Sequence, residues 1–367
     1  MKQILTTIFI LLIFFGCAKK PELKLEDKPE TKLMEDKFSS LKEWDQDNHE
    51  EILTLFKESC KTSRVRNIYA QTCQSAADVD DAKVFLEEEF LPFRIVNNKE
   101  KEQGLLTGYY EPFLQASLEK NKKYIYPIYK KPNDLITVDL SSIYPELKHY
   151  RLRGRLEGDK LVPYHNRKTS KELELDADVL CYTNSKIDRF FLEIQGSGRV
   201  LFDDNSTMFI GFENQNGHKY RAIGKYLVDI GALHLEDVSL QSIKAWLKEN
   251  PERLDEVLNY NESMVFFAQR NQGATGALGL ELTPKRSVAI DRHFIPLGSM
   301  LYLDADLQES KISRVVFAQD TGGAIKGSVR ADLFLGSGEE ALEIAGRLKA
   351  PLKLWILLPK KRVEKDI

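Results

Sequence analysis

Apolar positions recur at a helical period through the first third of the chain: Phe38, Leu41 and Trp44, then Ile52, Leu55 and Phe56, then Val84 and Phe85. No glycine interrupts residues 37–98, and the stretch reads as helical. From Gly104 the pattern changes. GLLTGYYEPFLQASL and KYIYPIYKKP are rich in aromatic and β-branched residues and broken by Pro and Gly, so they read as strands. KLVPYH, ADVLCYT, RFFLEIQGSGRVLF, STMFIGF and HKYRAIG are further strand candidates. Residues 235–260 return to helix, with Leu240, Ile243 and Leu247 on one face and Ser239 as N-cap. Pro251 interrupts, and Leu254, Val257 and Leu258 begin another helix. Strands dominate again over 264–358 in MVFFAQ, SVAI, MLYLDA, RVVFAQD and LKLWILL, with one helix at 339–348. The class is α+β, mostly β with many antiparallel strands, and it lacks the βαβ alternation of a doubly wound sheet.

The N-terminus has a different character. Lys2 precedes an apolar run from Ile4 to Phe15 that is short for a bilayer span but suits the core of a signal peptide. Gly16-Cys17 then resembles a bacterial lipobox, with Phe14 standing where leucine is usual. Residues 1–16 are read as a lipoprotein signal peptide and Cys17 as the lipidated residue. An ordinary secretory signal and an uncleaved anchor are the alternatives. Acyl chains on Cys17 would hold the protein on a membrane, and Ala18 in place of aspartate favours the outer membrane, facing the periplasm. Residues 17–36, rich in Lys, Glu and Pro, read as a disordered tether.

At roughly 150 residues per domain, 367 residues allow about two domains. A formal net charge of −3 argues against a nucleic-acid partner bound through overall basicity. Four cysteines are too few for a disulfide scaffold, although an exported chain could pair Cys60 with Cys73; buried thiols are the alternative, and Cys181 reads as core. No H-E-x-x-H is present, which disfavours a zinc protease.

The densest chemistry lies late in the chain. The strand RVVFAQ ends at Asp320, a Gly322-Gly323 turn and Lys326-Gly327 follow, and Asp332 comes twelve residues after Asp320. A tight turn could bring the two carboxylates together, and one of two close, partly buried carboxylates keeps its proton and can act as a general acid. Turn capping by Asp before Gly is the competing reading. The D-T-G triplet also suggests an aspartic protease, but no second D-T-G exists and GAIKG departs from that pattern. Asp291 ends the strand SVAI before a Pro-Leu-Gly turn, where it orients a neighbour or caps the turn. Thr107-Gly108-Tyr109-Tyr110-Glu111 and Gln195-Gly196-Ser197-Gly198 carry hydroxyls, amides and aromatics beside glycine, the groups that line sugar grooves. Ser197 has no His–Asp arrangement, so it is not read as a nucleophile.

Six elements in order resemble the membrane-bound lytic murein transglycosylase A family: LLTGYYEP at 105–112, YPIYKKP at 126–132, FLEIQGSG at 191–198, NGHKYRAIGKYL at 216–227, SVAIDRHFIPLGS at 287–299 and AQDTGGAIKGSVRADLFLGSG at 318–338. The last two form its three-aspartate domain, here Asp291, Asp320 and Asp332. The resemblance implies a double-psi β-barrel domain from residues 37–112 plus 272–360, with the N-terminal helices, and a smaller β-barrel domain inserted at 113–271. A glycan groove would run between them. It implies cleavage of the β-1,4 MurNAc–GlcNAc bond of peptidoglycan without water, giving 1,6-anhydromuramyl ends. Asp332 would be acid then base and Asp320 its support. Thr107, Tyr109, Gln195, Gly196, Ser197 and Lys326 would contact substrate, and Asp291 would orient. No metal or organic cofactor is implied. Around Ser328-Val329-Arg330-Ala331 the chain departs from the pattern, since some members are a residue shorter there.

Two other functions compete. One is a two-carboxylate muramidase using water, with Asp320 or Glu111 as the second group. The other is a non-catalytic peptidoglycan-binding lipoprotein.

Overall fold

The computed structural model describes residues 31–97, 103–150, 152–172, 175, 178–307 and 311–360. The signal peptide, Cys17 and the tether as far as residue 30 lie outside the described residues.

The first part of the chain runs β1 (Lys32–Glu35), α1 (His49–Ser59), α2 (Ser63–Ser75), α3 (Ala82–Glu89), β2 (Phe90–Val96) and β3 (Gly104–Glu111). Each helix starts at a polar cap: Asn48, Thr62 and Asp81 accept from the backbone N–H of Glu51, Val65 and Val84. Cys60 and Cys73 are disulfide-bonded and staple the end of α1 to α2. Phe38 and Trp44 sit in short 3₁₀ turns rather than a helix.

The middle part adds β4 (Phe113–Ser117), β5 (Tyr126–Tyr129), β6 (Ile136–Thr137), β7 (Arg153–Glu157), β8 (Lys160–Pro163), α4 (Arg167–Glu172), β9 (Val179–Thr183), α5 (Lys186–Gln195), β10 (Ser197–Phe202) and β11 (Thr207–Gln215). It ends with α6 (Ile223–Asp229), α7 (Leu240–Glu249), α8 (Leu254–Tyr260) and β12 (Val265–Arg270). The last part is β13 (Ser287–Ile290), β14 (Met300–Asp306), β15 (Lys311–Asp320), β16 (Arg330–Ser337), α9 (Gly338–Arg347) and β17 (Lys349–Pro359).

Strands of the first and last parts form one sheet in the order β1-β2-β17-β14-β15-β13-β16-β3, and β3 pairs again with β17. Six strands thus close a circuit of pairings. The middle part forms a second sheet, β12-β11-β10-β4-β9-β5, and a small third one, β6-β7-β8. The architecture is mixed α and β with sheet predominating.

The closed circuit buries both faces of its strands. Leu301, Leu303, Val316, Ala318, Leu354 and Ile356 join one core, while their neighbours Met300, Tyr302, Val315, Phe317, Trp355 and Leu357 pack against α1–α3 in another. Side chains alternate between faces at a period of two. Two apolar faces therefore produce the unbroken hydrophobic runs seen in MLYLDA, RVVFAQD and LKLWILL.

Four local expectations are corrected. RFFLEIQ is the helix α5: Ser185 caps it and Gly196 stops it at φ +79°. Phe190 and Phe191 face α6–α8 while Leu192 faces the second sheet, so burial on two sides mimics a strand-like apolar run. HKYRAIG is a loop. It is held by the Asn216 amide, which donates to His165 O and Glu262 O, both 2.9 Å, and by His218 against Tyr164 O at 2.7 Å. Residues 90–96 form strand β2, not helix. Finally, β1 is an edge strand on β2, so ordered structure begins inside the expected tether; ladder bonds need no apolar periodicity.

A buried ion cluster ties the helices to the circuit. Arg286 donates to Asp47 at 2.7 and 3.1 Å, to Glu51 at 2.7 and 3.0 Å and to Val315 O at 2.9 Å. Burial would push the Asp47 carboxyl up, but Arg286 and the Val315 N–H outweigh it and hold it below the ordinary range. Removing Arg286 strands the buried Asp47 carboxylate, while Glu51 keeps its contact with solvent. Arg286→Met is expected to lower unfolding free energy by about 3–5 kcal/mol in urea titration; a loss below about 1 kcal/mol would show that the cluster is not what holds the helices.

Candidate active site

Strand register builds a row across four strands. Asp320 on β15 and Asp332 on β16 are both in register with Ala289 of β13, which lies between them, and Thr107 of β3 is in register with Asp332. In-register residues on neighbouring strands share a face. The two aspartates therefore stand roughly 10 Å apart at their Cα atoms, two strand spacings. The methyl of Ala289 leaves the space between them open. Tyr109, Ala274, Leu282, Ala289, Ile325 and Phe334 form the apolar floor.

The two carboxylates differ in their partners. Asp320 Oδ1 accepts from the backbone N–H of Thr321 at 2.8 Å and of Ala277 at 3.0 Å, and Oδ2 accepts from the Tyr109 hydroxyl at 3.1 Å. Its oxygens are all taken by donors. Asp332 Oδ1 accepts from the Thr107 hydroxyl, and among the described residues Oδ2 has no hydrogen-bond partner. Arg330 Nη2 in turn donates to Thr107 Oγ1 at 2.8 Å.

Burial pushes both carboxyls above the ordinary range. For Asp332 the Thr107 bond and the Arg330 charge oppose that rise. For Asp320 the three donors oppose it and the Asp332 charge adds to it. Tyr109 is pushed far up by burial, then by Asp320 and Asp332, so it stays a protonated donor. The arrangement offers one carboxyl that can hold a proton and present an oxygen, beside one locked in place.

The loop that reaches Asp320 needs glycine. A Cβ on Gly276 would meet Gln319 O at 2.4 Å, and this close approach brings the Ala277 N–H to Asp320.

The remaining expected residues fall as follows. Thr107 and Tyr109 spend their hydroxyls on the aspartates. Asp291 is buried, accepts from the backbone N–H groups of His293 and Gly327 and meets His293 Nδ1 at 2.6 Å. Burial raises its carboxyl, but His293 and Gly327 hold it below the ordinary range. It thereby ties the end of β13 to the turn before β16. Gln195 Oε1 accepts from Tyr110 N at 3.2 Å, which docks the end of α5 on β3. Gly196 is the left-handed cap of α5, Ser197 is buried at the start of β10, and Lys326 is exposed. Glu111 lies off the row, buried against Arg199 at 3.2 Å.

Two residues escaped the sequence reading. Arg330 sits in the stretch that departs from the family pattern, and that departure was its only signal. Tyr220 lies in the pinned loop before α6. It is exposed, yet its phenol is pushed up by its surroundings and then by the Asp332 charge, so a residue of the middle part reaches the carboxylate electrostatically. Its signal was the motif NGHKYRAIGKYL, from which no single residue stood out.

A family model for the MltA specific insert domain matches residues 105–268, and one for the 3D domain matches residues 286–358. The membrane-bound lytic murein transglycosylase A of Escherichia coli K12 is 34% identical over 261 residues, covering 68% of this chain. The chain spans 64% of the length of that relative. The crystal structure of MltA from Neisseria gonorrhoeae is similar at a TM-score of 0.77 and 34% identity, covering 90% of this chain and 93% of that one. The structure of E. coli MltA with bound chitohexaose is similar at a TM-score of 0.64 and 25% identity, covering 91% and 93%.

Because Asp332 binds its proton more tightly in the folded chain than in the unfolded one, its carboxylate costs stability. That cost is absent below the ordinary carboxylate range, grows as pH rises and is complete above the folded pKa. Asp332→Asn is therefore expected to melt higher than the wild type at pH 7 and level with it below about pH 3.5. Thermal unfolding at the two pH values checks this, and an equal or lower Tm at pH 7 would contradict it.

Proposed function

The chain belongs to the membrane-bound lytic murein transglycosylase A family, and from that premise we propose that it is a peptidoglycan lytic transglycosylase with Asp332 as its single acid and base. The observation that carries the reading is the asymmetry of the row. Asp332 has one oxygen held by Thr107 and, among the described residues, no donor on the other, whereas each oxygen of Asp320 accepts at least one hydrogen bond.

In the proposed reaction Asp332 gives its proton to the glycosidic oxygen of the departing GlcNAc as the C1–O bond of MurNAc breaks. The resulting carboxylate takes the proton of the MurNAc C6 hydroxyl as that oxygen bonds to C1, closing the 1,6-anhydro ring. The aspartate ends protonated, and no water enters. Burial keeps Asp332 protonated at higher pH than an ordinary carboxyl, which the first step requires. Asp320, fixed by Tyr109, Thr321 and Ala277, holds a negative charge or a proton beside it without competing for substrate. Both its oxygens already accept hydrogen bonds, and Glu111 lies off the row with Oε2 accepting from Arg199. These features favour the lyase over a two-carboxylate muramidase.

We read the closed circuit of six strands as a double-psi β-barrel, with residues 37–112 and 272–360 as the catalytic domain. The 113–271 part we read as an inserted, smaller β-barrel domain. A glycan groove between the two would explain why Tyr220 approaches Asp332. Gln195, Gly196, Ser197 and Lys326 are proposed glycan contacts, beside Thr107 and Tyr109. The chitohexaose bound to E. coli MltA supports a glycan ligand. No helix of the described residues is long and apolar enough to cross a membrane. Attachment through a lipidated Cys17, on the periplasmic face of the outer membrane, is the reading that fits the lipobox and the membrane-bound relatives.

Purified peptidoglycan digested by the chain from Ala18 onward should release anhydromuropeptides detectable by mass spectrometry. Asp332→Ala should lower the rate by at least ~10²–10⁴. Reducing-end products would favour the muramidase, and no soluble product would favour a binding protein. A single acid in the free enzyme also predicts that kcat/KM falls tenfold per pH unit above the Asp332 pKa, with no opposing acidic limb from a second carboxylate.

A further inference from the structure

Strand β16 carries a cation two residues before Asp332. Residues at this spacing share a face of a strand, and Arg330 is half-buried beside the carboxylate it precedes. Its Nη2 donates to Thr107 Oγ1 at 2.8 Å, and its Nη1 is held by Leu105 O at 3.3 Å and by Ala331 O. Among the described residues no carboxylate forms a salt bridge with Arg330. It is therefore spent on backbone carbonyls and one hydroxyl.

That hydroxyl is the link. A guanidinium can only donate, so Thr107 Oγ1 must accept from it. Thr107 has one proton left to give, and the atom facing it is Asp332 Oδ1. A charged donor on the hydroxyl oxygen strengthens the hydroxyl as a donor in its turn. With Oδ1 accepting, the carboxylic proton of Asp332 belongs on Oδ2, the oxygen without a protein partner.

We infer that Arg330 is a positioning residue which, acting through the Thr107 hydroxyl, fixes Oδ1 of Asp332 as acceptor and assigns the transferable proton to Oδ2. The inference rests on the reading of Asp332 as the acid. Arg330 also opposes the effect of burial on the Asp332 proton. Burial in turn pulls the guanidinium below its ordinary value, with the Asp332 charge opposing.

The other groups that face Asp332 do not supply this effect. Tyr109 from β3 and Tyr220 from the loop before α6 are held as neutral phenols. Asp320 from β15 is a like charge, and β13 contributes only Ala289. Lys349 of β17 is in register with Thr107 but exposed.

The test is a titration that needs no turnover. Protein labelled with ¹³C at the aspartate γ-carboxyl is followed by NMR across pH, and the Asp332 signal is identified by its loss in Asp332→Asn. Arg330→Gln should move the Asp332 midpoint upward by about one pH unit or more. Thr107→Val should move it in the same direction. Thr107→Ser, which keeps the hydroxyl, and Arg330→Lys, which keeps a cationic donor, should move it less than half as far. The alkaline limb of kcat/KM should follow each midpoint. An unmoved midpoint in folded Arg330→Gln or Thr107→Val would overturn the inference. So would a Thr107→Ser shift as large as that of Thr107→Val. A wild type that released no anhydro product would count against the function proposed above, while an unmoved titration would count against Arg330 alone.

Discussion

Two carboxyl groups on one row of a buried sheet face are the constraint on which the rest of the structure depends. Register with a single alanine sets Asp320 and Asp332 on one face, one strand to either side of it, and burial makes their charges expensive. The fold resolves this by treating them differently. Asp320 is surrounded by donors from Tyr109, Thr321 and Ala277. Asp332 is given one hydroxyl, and its second oxygen has no partner among the described residues. A pair made unequal in this way offers a fixed group and a carboxyl able to hold a proton, the division that acid–base chemistry requires.

Holding that row demands a rigid frame, and the closed circuit of β17, β14, β15, β13, β16 and β3 provides it. A slip of one residue along β15 or β16 would send its aspartate to the opposite face. Apolar packing on both faces makes such a slip costly. The Arg286 cluster fastens α1 to the circuit, and Asp291 fixes the turn that leads into β16. Glu111 and Arg199 join the end of β3 to β10 of the second sheet, with the guanidinium over Phe113 and Phe209. Through this contact the second sheet is anchored four residues from Thr107.

Much of this was legible in the sequence. Runs of aromatic and β-branched residues between Pro and Gly marked most strands, Ser239 marked the start of α7, and Asp320 and Asp332 stood out by spacing and by family resemblance. What was not legible depended on neighbours distant in sequence. The α5 segment looks like a strand because it is buried on two sides, and β1 looks like tether because backbone pairing leaves no mark on its side chains. Strand β16, which carries Asp332, sits among glycines and charges and was not among the clearest strands of its region. That the Thr107 and Tyr109 hydroxyls serve the aspartates follows from the parallel pairing of β3 with β16 across more than two hundred residues. The position of Arg330 behind Thr107 follows from the same pairing.

The central claim is that Asp332 moves a proton out and back without admitting water. Digestion of peptidoglycan in H₂¹⁸O tests it most directly, because a lyase and a hydrolase differ in a single oxygen atom. The new muramyl ends should carry no ¹⁸O from the cleavage step. Incorporation of one ¹⁸O at each new muramyl C1, released in step with bond cleavage, would contradict it.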